Sequence, residues 1–145
     1  MTGIKIKEFV NKQPVVLPSE STIREAAQQM SLKNVGLVVL VDKEKPRMPV
    51  GVVSERDIVK AVAKGEPLDA SVKTIANTRL ITIGLNEDVG EAASKMLSNN
   101  VRHLVVVDDS KRLVGVVSIR DIVREQNTLR MQARETEKEG ELSGD

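Results

Sequence analysis

The stretch GVVSERDIV, Gly51 to Val59, returns at Gly115 to Val123 as GVVSIRDIV, with eight of nine letters unchanged. The duplication extends well upstream. Sliding Phe9–Asp42 against Ile75–Asp108 at a constant offset of 66 gives ten identities in 34 positions: Asn11, Glu25, Ala26, Ala27, Met30, Asn34, Val35, Val39, Val41 and Asp42 each meet their own kind. Beyond Asp42 the first copy carries KEKPRMPV where the second has DSKRLV, so two extra residues shift the offset to 64. They are expected in a Pro-containing hairpin loop, where insertions are tolerated. A period longer than the roughly 20–50 residues of solenoid units, present only twice, points to a pseudo-twofold pair sharing one core.

Each copy has the same pattern. A short apolar segment, PVVL or LITI, precedes a helix with apolar residues at helical spacing, Ile23, Ala26, Ala27, Met30 and Val89, Ala92, Ala93, Met96. Thr22 with Glu25, and Asp88 with Glu91, have the spacing of a capping box at each helix start. Next come VGLVVLVD and VRHLVVVD, β-branched runs expected as strands buried on both faces. A hairpin leads to PVGVVS or LVGVVS, and a second helix begins at Ser54 or Ser118, the first of these stopping at KGEP. The unit is β-α-β-β-α, and the fold class α/β, of the α+β kind. Repeat 1 is expected over 4–66 and repeat 2 over 67–126, with 127–145 a charged tail, frayed or disordered.

Composition narrows the chemistry. Zero cysteines exclude disulfides, thiol catalysis and thiolate metal sites, and His103 is the only histidine, so no metal site is expected. With 22 basic against 21 acidic residues, no Trp, no Tyr and one Phe, the chain has neither the charge nor the stacking platforms of a nucleic-acid binder. The longest apolar runs are too short for a membrane span, and the start MTGIKIKEFV has no signal-peptide pattern, so a cytoplasmic protein is expected. There is no phosphate-binding Gly-x-x-x-x-Gly-Lys loop and no cluster of acidic metal ligands, so the chain does not read as an enzyme and no catalytic residues are expected.

The duplicated Ser-x-Arg-Asp has two readings. In one, Ser54 and Ser118 are N-caps, with Asp57 and Asp121 at the third helical position beside the positive end of the dipole, worth about 1 kcal/mol per cap. In the other, the same helix start takes a ligand. Its free N–H groups and the serine hydroxyl suit phosphate, the aspartate can accept from two vicinal ribose hydroxyls, and Arg56 or Arg120 can grip phosphate oxygens.

Two β-α-β-β-α copies, each ending in Gly-hydrophobic-hydrophobic-Ser-x-x-Asp, resemble a tandem pair of CBS domains, the Bateman module, over residues 4 to about 125. The resemblance implies a regulatory module binding AMP or a related adenine nucleotide, with ADP, ATP and S-adenosylmethionine as further candidates. The alternative is a structural or interaction module without a ligand, its motifs serving as helix caps alone. In the family the base lies among residues of the first strand and the start of the second. The matching positions are Gln13, Pro14, Val15, Val35, Gly36 and Leu37 in repeat 1, and Arg79, Leu80, Ile81, Val101, Arg102 and His103 in repeat 2. The resemblance further implies a crossing, each base slot paired with the other repeat's Ser-x-x-Asp. It also places phosphate-binding Arg or His where Arg102 and His103 replace Gly36 and Leu37, so the two sites are expected to be unequal. Apolar residues left over on the second helices, together with the face-to-face pairing common in the family, lead to an expected homodimer acting on an unknown effector protein.

Overall fold

The computed structural model describes residues 3–8, 10–11, 13–124, 131 and 133–134. Repeat 1 contains β1 (Val16–Pro18), α1 (Ile23–Lys33), β2 (Leu37–Asp42), β3 (Lys45–Ser54) and α2 (Glu55–Ala63). Repeat 2 contains β4 (Thr82–Gly84), α3 (Val89–Asn99), β5 (His103–Val107), β6 (Leu113–Ser118) and a final helix, α4, over positions 119–124. The tail expected over 127–145 lies outside the described residues, save that positions 131, 133 and 134 are helical. Among the described residues no helix is long and apolar enough to cross a membrane.

The two sheets have one topology. β1 runs parallel to β2 and β2 antiparallel to β3, and the order β4-β5-β6 repeats it. α1 and α3 follow the sequence periodicity: Ile23, Ala26 and Met30, and their counterparts Val89, Ala92 and Met96, are buried. Both helices end on an asparagine in the left-handed region, Asn34 at φ 55° and Asn100 at φ 51°, a conformation that asparagine tolerates better than most residues. That requirement accounts for their identity in the two copies.

Three expectations are revised. The two-residue insertion is not a loop but added strand: β3 starts at Lys45 directly after a tight turn, and the register slips between Leu40 and Asp42 absorb the extra length. The capping box is half-formed in α1 and absent in α3. Thr22 Oγ1 accepts from the Glu25 N–H at 3.0 Å, whereas the Asp88 carboxylate accepts from Gly90 rather than Glu91 and from the Gly3 N–H at 2.8 Å. Carbonyls from elsewhere take the next donors, with Ala70 and Leu68 accepting from Ile23 and Arg24, and Ile4 accepting from Val89. Lastly, there is no single shared core. Ala26, Met30, Val38, Leu40 and Val53 form one cluster, and Ile83, Val89, Met96, Leu104 and Val117 belong to another.

What joins the repeats is an exchange of their leading segments. Ile6, on the short 3-10 turn Ile6–Glu8 ahead of repeat 1, is wholly buried in the repeat 2 cluster. Val72, on the matching turn Val72–Thr74, is wholly buried in the repeat 1 cluster. Backbone pairing follows the same crossing. Asn11 exchanges two hydrogen bonds with Val116 of β6, at 2.9 and 3.1 Å, and Asn77 exchanges two with Val52 of β3, at 2.9 and 3.0 Å.

The motif glycines lie under these crossing segments. A Cβ on Gly115 would overlap the Asn11 carbonyl and come within 2.9 Å of Val10 Cγ2, whereas on Gly51 it would sit 3.4 Å from the Asn77 oxygen. Gly115→Ala is therefore expected to cost about 2–3 kcal/mol of unfolding free energy in urea, through overpacking against rigid backbone, and Gly51→Ala less than about 1 kcal/mol. Equal costs would show that the two approaches are equally tolerant.

Candidate functional site

Both Ser-x-x-Asp segments are built as reciprocal caps. Asp57 Oδ2 accepts from the Ser54 N–H at 2.8 Å and from the Ser54 hydroxyl at 3.0 Å, while the Asp57 N–H donates to Ser54 Oγ at 3.3 Å. In repeat 2 the Ser118 N–H donates to Asp121 Oδ2, and the Asp121 N–H to Ser118 Oγ, each at 3.1 Å. The caps use Oδ2 only; Oδ1 of either aspartate makes no hydrogen bond among the described residues. Ser54, Asp57, Ser118 and Asp121 are half-buried, and Arg56 and Arg120 between them are exposed.

The leading segments run beside these helix starts. Asn11 pairs with Val116, two residues before Ser118, and Asn77 with Val52, two residues before Ser54. Each asparagine then turns the chain through its own side chain, Asn11 Oδ1 accepting from the Gln13 N–H and Asn77 Oδ1 from the Arg79 N–H, both at 3.0 Å. Beyond the turn the chain joins its own repeat: the Val15 carbonyl accepts from Val39 at 2.9 Å, and that of Ile81 from Val105 at 3.1 Å. Gln13, Pro14 and Val15 thus bridge from β6 to β2, and Arg79, Leu80 and Ile81 from β3 to β5. Each asparagine thus carries the chain from the sheet of the opposite repeat to its own. Their sequence signal was the identity of Asn11 and Asn77; what they pair with was not legible.

Val35 and Val101 follow the left-handed asparagines and pack partly against their own cores, as do Val15 and Ile81. Leu37 is buried, Gly36 and His103 are half-buried, and Gln13, Arg79 and Arg102 are exposed. Equivalent hydrogen bonds tie each strand start to the helix start of its own repeat, Glu55 N–H to the Gly36 carbonyl at 3.1 Å and Ile119 N–H to that of Arg102 at 2.8 Å.

The repeats meet at Gly36. A Cβ built there would lie 3.3 Å from Glu55 Oε1 and 3.4 Å from His103 Cε1, so a repeat 1 carboxylate and the repeat 2 imidazole flank its bare face. Burial pushes the His103 pKa below the usual histidine value; Asp121 and Glu55 oppose this, and Arg102 and Arg120 add to it. Sequence reasoning left Glu55 out of the site, although it is the one letter by which the two nonapeptides differ.

A separate hollow of about 330 Å³ lies at the opposite end of the repeat 2 sheet, beside Gly84, Glu87, Asp108 and Asp109. Two of its acidic residues are already engaged. Glu87 accepts from the Gly84 N–H, and Asp108 closes the β5–β6 turn through the Ser110 and Arg112 N–H groups, which hold its carboxyl below the usual range. No group of metal-ligating side chains occurs among the described residues.

The CBS domain family profile matches residues 6–64 and 72–127. In structure the chain is similar to a CBS domain protein from Pyrobaculum aerophilum complexed with AMP, at 44% identity and a TM-score of 0.83, over 90% of this chain and 99% of that one. It is also similar to the CBS domain pair of protein MJ0100, in complex with 5′-methylthioadenosine and S-adenosyl-L-methionine, at 30% identity and a TM-score of 0.79, over 86% and 97% of the two chains. A 17.7 kDa protein of Acidianus ambivalens, itself uncharacterized, is 33% identical over 120 residues, which are 83% of this chain and 71% of that protein.

The His103 environment gives a pH prediction. The unfolded chain takes up a proton near the ordinary value of about 6.5, while the folded chain resists it, so unfolding binds more protons as pH falls through that value. Stability is expected to be full above about pH 7.5 and to decline as pH falls below about 6.5. The low-pKa carboxylates Asp88 and Asp108 act only at more acidic pH. Urea midpoints between pH 7.5 and 5.5 should fall for the wild type and stay flatter for His103→Gln; identical slopes would remove His103 as the cause.

Proposed function

The chain belongs to the CBS-domain family as a tandem pair, and from that premise we propose that it is a non-catalytic regulatory module that binds AMP or a related adenine nucleotide in clefts between its repeats. The observation that carries this reading is the crossed backbone pairing, Asn11 with Val116 and Asn77 with Val52, which sets each base-slot segment beside the other repeat's Ser-x-x-Asp. One cleft combines Gln13, Pro14, Val15, Val35, Gly36 and Leu37 with Ser118, Arg120 and Asp121. The other combines Arg79, Leu80, Ile81, Val101, Arg102 and His103 with Ser54, Arg56 and Asp57.

Each group has a task in this reading. Half-buried aliphatic side chains and adjacent backbone offer adenine a flat apolar slot with polar edges. The aspartate oxygen outside the cap accepts from the ribose hydroxyls. The helix start, its serine and the motif arginine receive phosphate, with Arg102 as a further cation. AMP is favoured by the Pyrobaculum relative, which holds it, and the adenosyl ligands of MJ0100 widen the class to S-adenosylmethionine and its relatives.

A cap-only reading draws on one observation, the complete reciprocal bonding of Ser54 with Asp57. The two readings separate cleanly. Asp57→Ala and Asp121→Ala lower stability by about 1 kcal/mol in either case. Under nucleotide binding alone, each also weakens one site by about 1.5–3 kcal/mol, through loss of bonds to a charged acceptor. Calorimetric titration of the wild type with AMP is expected to give micromolar affinity, about −8 kcal/mol. Flat titrations with AMP, ADP, ATP and S-adenosylmethionine up to millimolar would leave the cap-only reading standing.

The module is further proposed to act as a homodimer. Val59 and Val62 on α2 are 67% and 59% exposed, and Val123 on α4, the repeat partner of Val59, is 47% exposed. Exposed valines at matching positions of the two second helices suit a closed twofold contact with a second copy. Light scattering at micromolar concentration should report twice the 15.9 kDa chain mass, and Val59→Lys with Val123→Lys should return it to one. A wild-type monomer, with and without nucleotide, would overturn the assembly.

A further inference from the structure

The duplicated nonapeptide differs at one position, Glu55 against Ile119, and the two residues have different surroundings. Ile119 packs against the repeat 2 core beside Val117 and Ile122. Glu55 stays exposed at the first turn of α2 and reaches the bare face of Gly36, where the His103 ring closes from the other repeat. One helix start thus carries two carboxylates and one guanidinium, the other one of each.

We propose that Glu55 makes the two clefts chemically unequal: seated beside Gly36, whose bare face the His103 ring also flanks, it opposes phosphate in the cleft of Ser54 and His103 and favours there an adenosyl ligand of neutral or positive charge, while the cleft of Ser118 and Ile119 takes the phosphate-bearing nucleotide. This inference rests on the nucleotide reading and deepens it. Glu55 and His103 both belong to the Ser54 cleft, and Gly36 is the wall it shares with its twin.

The imidazole available to a phosphate in this cleft is already faced by a resident carboxylate. A phosphate arriving there must displace Glu55 or sit beside it, and like charges repel at such separations even near a surface. A neutral nucleoside or a sulfonium meets no such opposition. The other groups acting on the imidazole are Asp121 and Arg120 of α4 and Arg102 before β5. Arg120 remains available to a phosphate in the twin cleft, where isoleucine replaces the carboxylate. Gly36 gives the Glu55 side chain room to lie across the strand start, since a Cβ there would press on Oε1. In repeat 2 the same strand position is Arg102.

The test uses the intact chain with Glu55→Gln and Glu55→Ile, the second of which makes the two motifs identical. Calorimetry is run with AMP and with adenosine in an Asp121→Ala background, which weakens the Ser118 cleft so that the effect of the Glu55 variants is read on the Ser54 cleft. Both Glu55 variants are expected to raise AMP affinity about tenfold at low salt, less as salt rises, with adenosine changed by less than about twofold. Because His103 is the sole histidine, its NMR titration gives a ligand-free readout in the wild-type background. Glu55→Gln should move that titration to lower pH, since a neighbouring negative charge is lost. Equal factors for AMP and adenosine, or an unmoved His103 titration, overturn the assignment of Glu55 alone. A wild type that binds neither AMP nor adenosine overturns the nucleotide reading, and with it this inference.

Discussion

Each repeat borrows its leading segment from the other side of the module, and the rest of the architecture depends on that exchange. A three-stranded sheet with two helices buries little apolar surface, and small units are marginal alone. Ile6 and Val72 each fill a core not their own, and the Asn11–Val116 and Asn77–Val52 pairings add backbone neighbours to β6 and β3. The repeats are therefore interlocked rather than merely adjacent. The same crossing sets the close approach over Gly115, fixes where the chain turns at Gln13 and Arg79, and brings each base-slot segment beside a helix start of the opposite repeat.

The helix starts show why one short motif can serve both fold and ligand. A carboxylate has two oxygens. In Asp57 and Asp121 one is committed to the cap, where the dipole and the serine N–H hold it, and this pre-orients the other without further ordering cost. A ligand meeting such a group finds the side-chain entropy already lost to folding. The cap and the proposed ribose contact are thus successive uses of one fixed carboxylate.

The sequence disclosed those parts of the fold whose cause is local or duplicated. The burial of Met30 and Met96 and the Ser54–Asp57 cap follow from helix periodicity and short-range hydrogen bonding, which a pattern can express. Features with long-range causes were hidden. Nothing near Asn11 says that its partner is Val116, and nothing near Thr22 or Asp88 says that Ala70, Leu68, Gly3 and Ile4 will meet the helix starts. The extra residues before Gly51 looked like loop because Pro46 and Pro49 break strands in general. An edge strand tolerates proline, and β3 is the outer strand of the sheet β1-β2-β3. For the candidate site, the reciprocal caps at Ser54 and Ser118 were legible in the sequence, and the base-slot positions rest on the family resemblance. The meeting of Glu55 with His103 required the fold.

The pattern of identity and difference between the repeats has a physical order. Positions kept alike serve backbone demands: the turning asparagines Asn11 and Asn77, the left-handed Asn34 and Asn100, the glycines under crossing segments, and the capping serines and aspartates. Such demands follow from the pseudo-twofold geometry, so both copies must meet them equally. Some of the positions that differ in charge or polarity lie at the strand and helix starts: Gly36 against Arg102, Leu37 against His103, Glu55 against Ile119. None of these carries a backbone requirement that its counterpart cannot meet, since the hydrogen bonds from Glu55 to Gly36 and from Ile119 to Arg102 use main-chain atoms alone. Changes of side chain there leave these main-chain bonds in place, and what they change is the electrostatic field along the proposed clefts. A symmetric scaffold with an asymmetric field is what a duplicated binding module needs if its two sites are to answer to ligands of different charge.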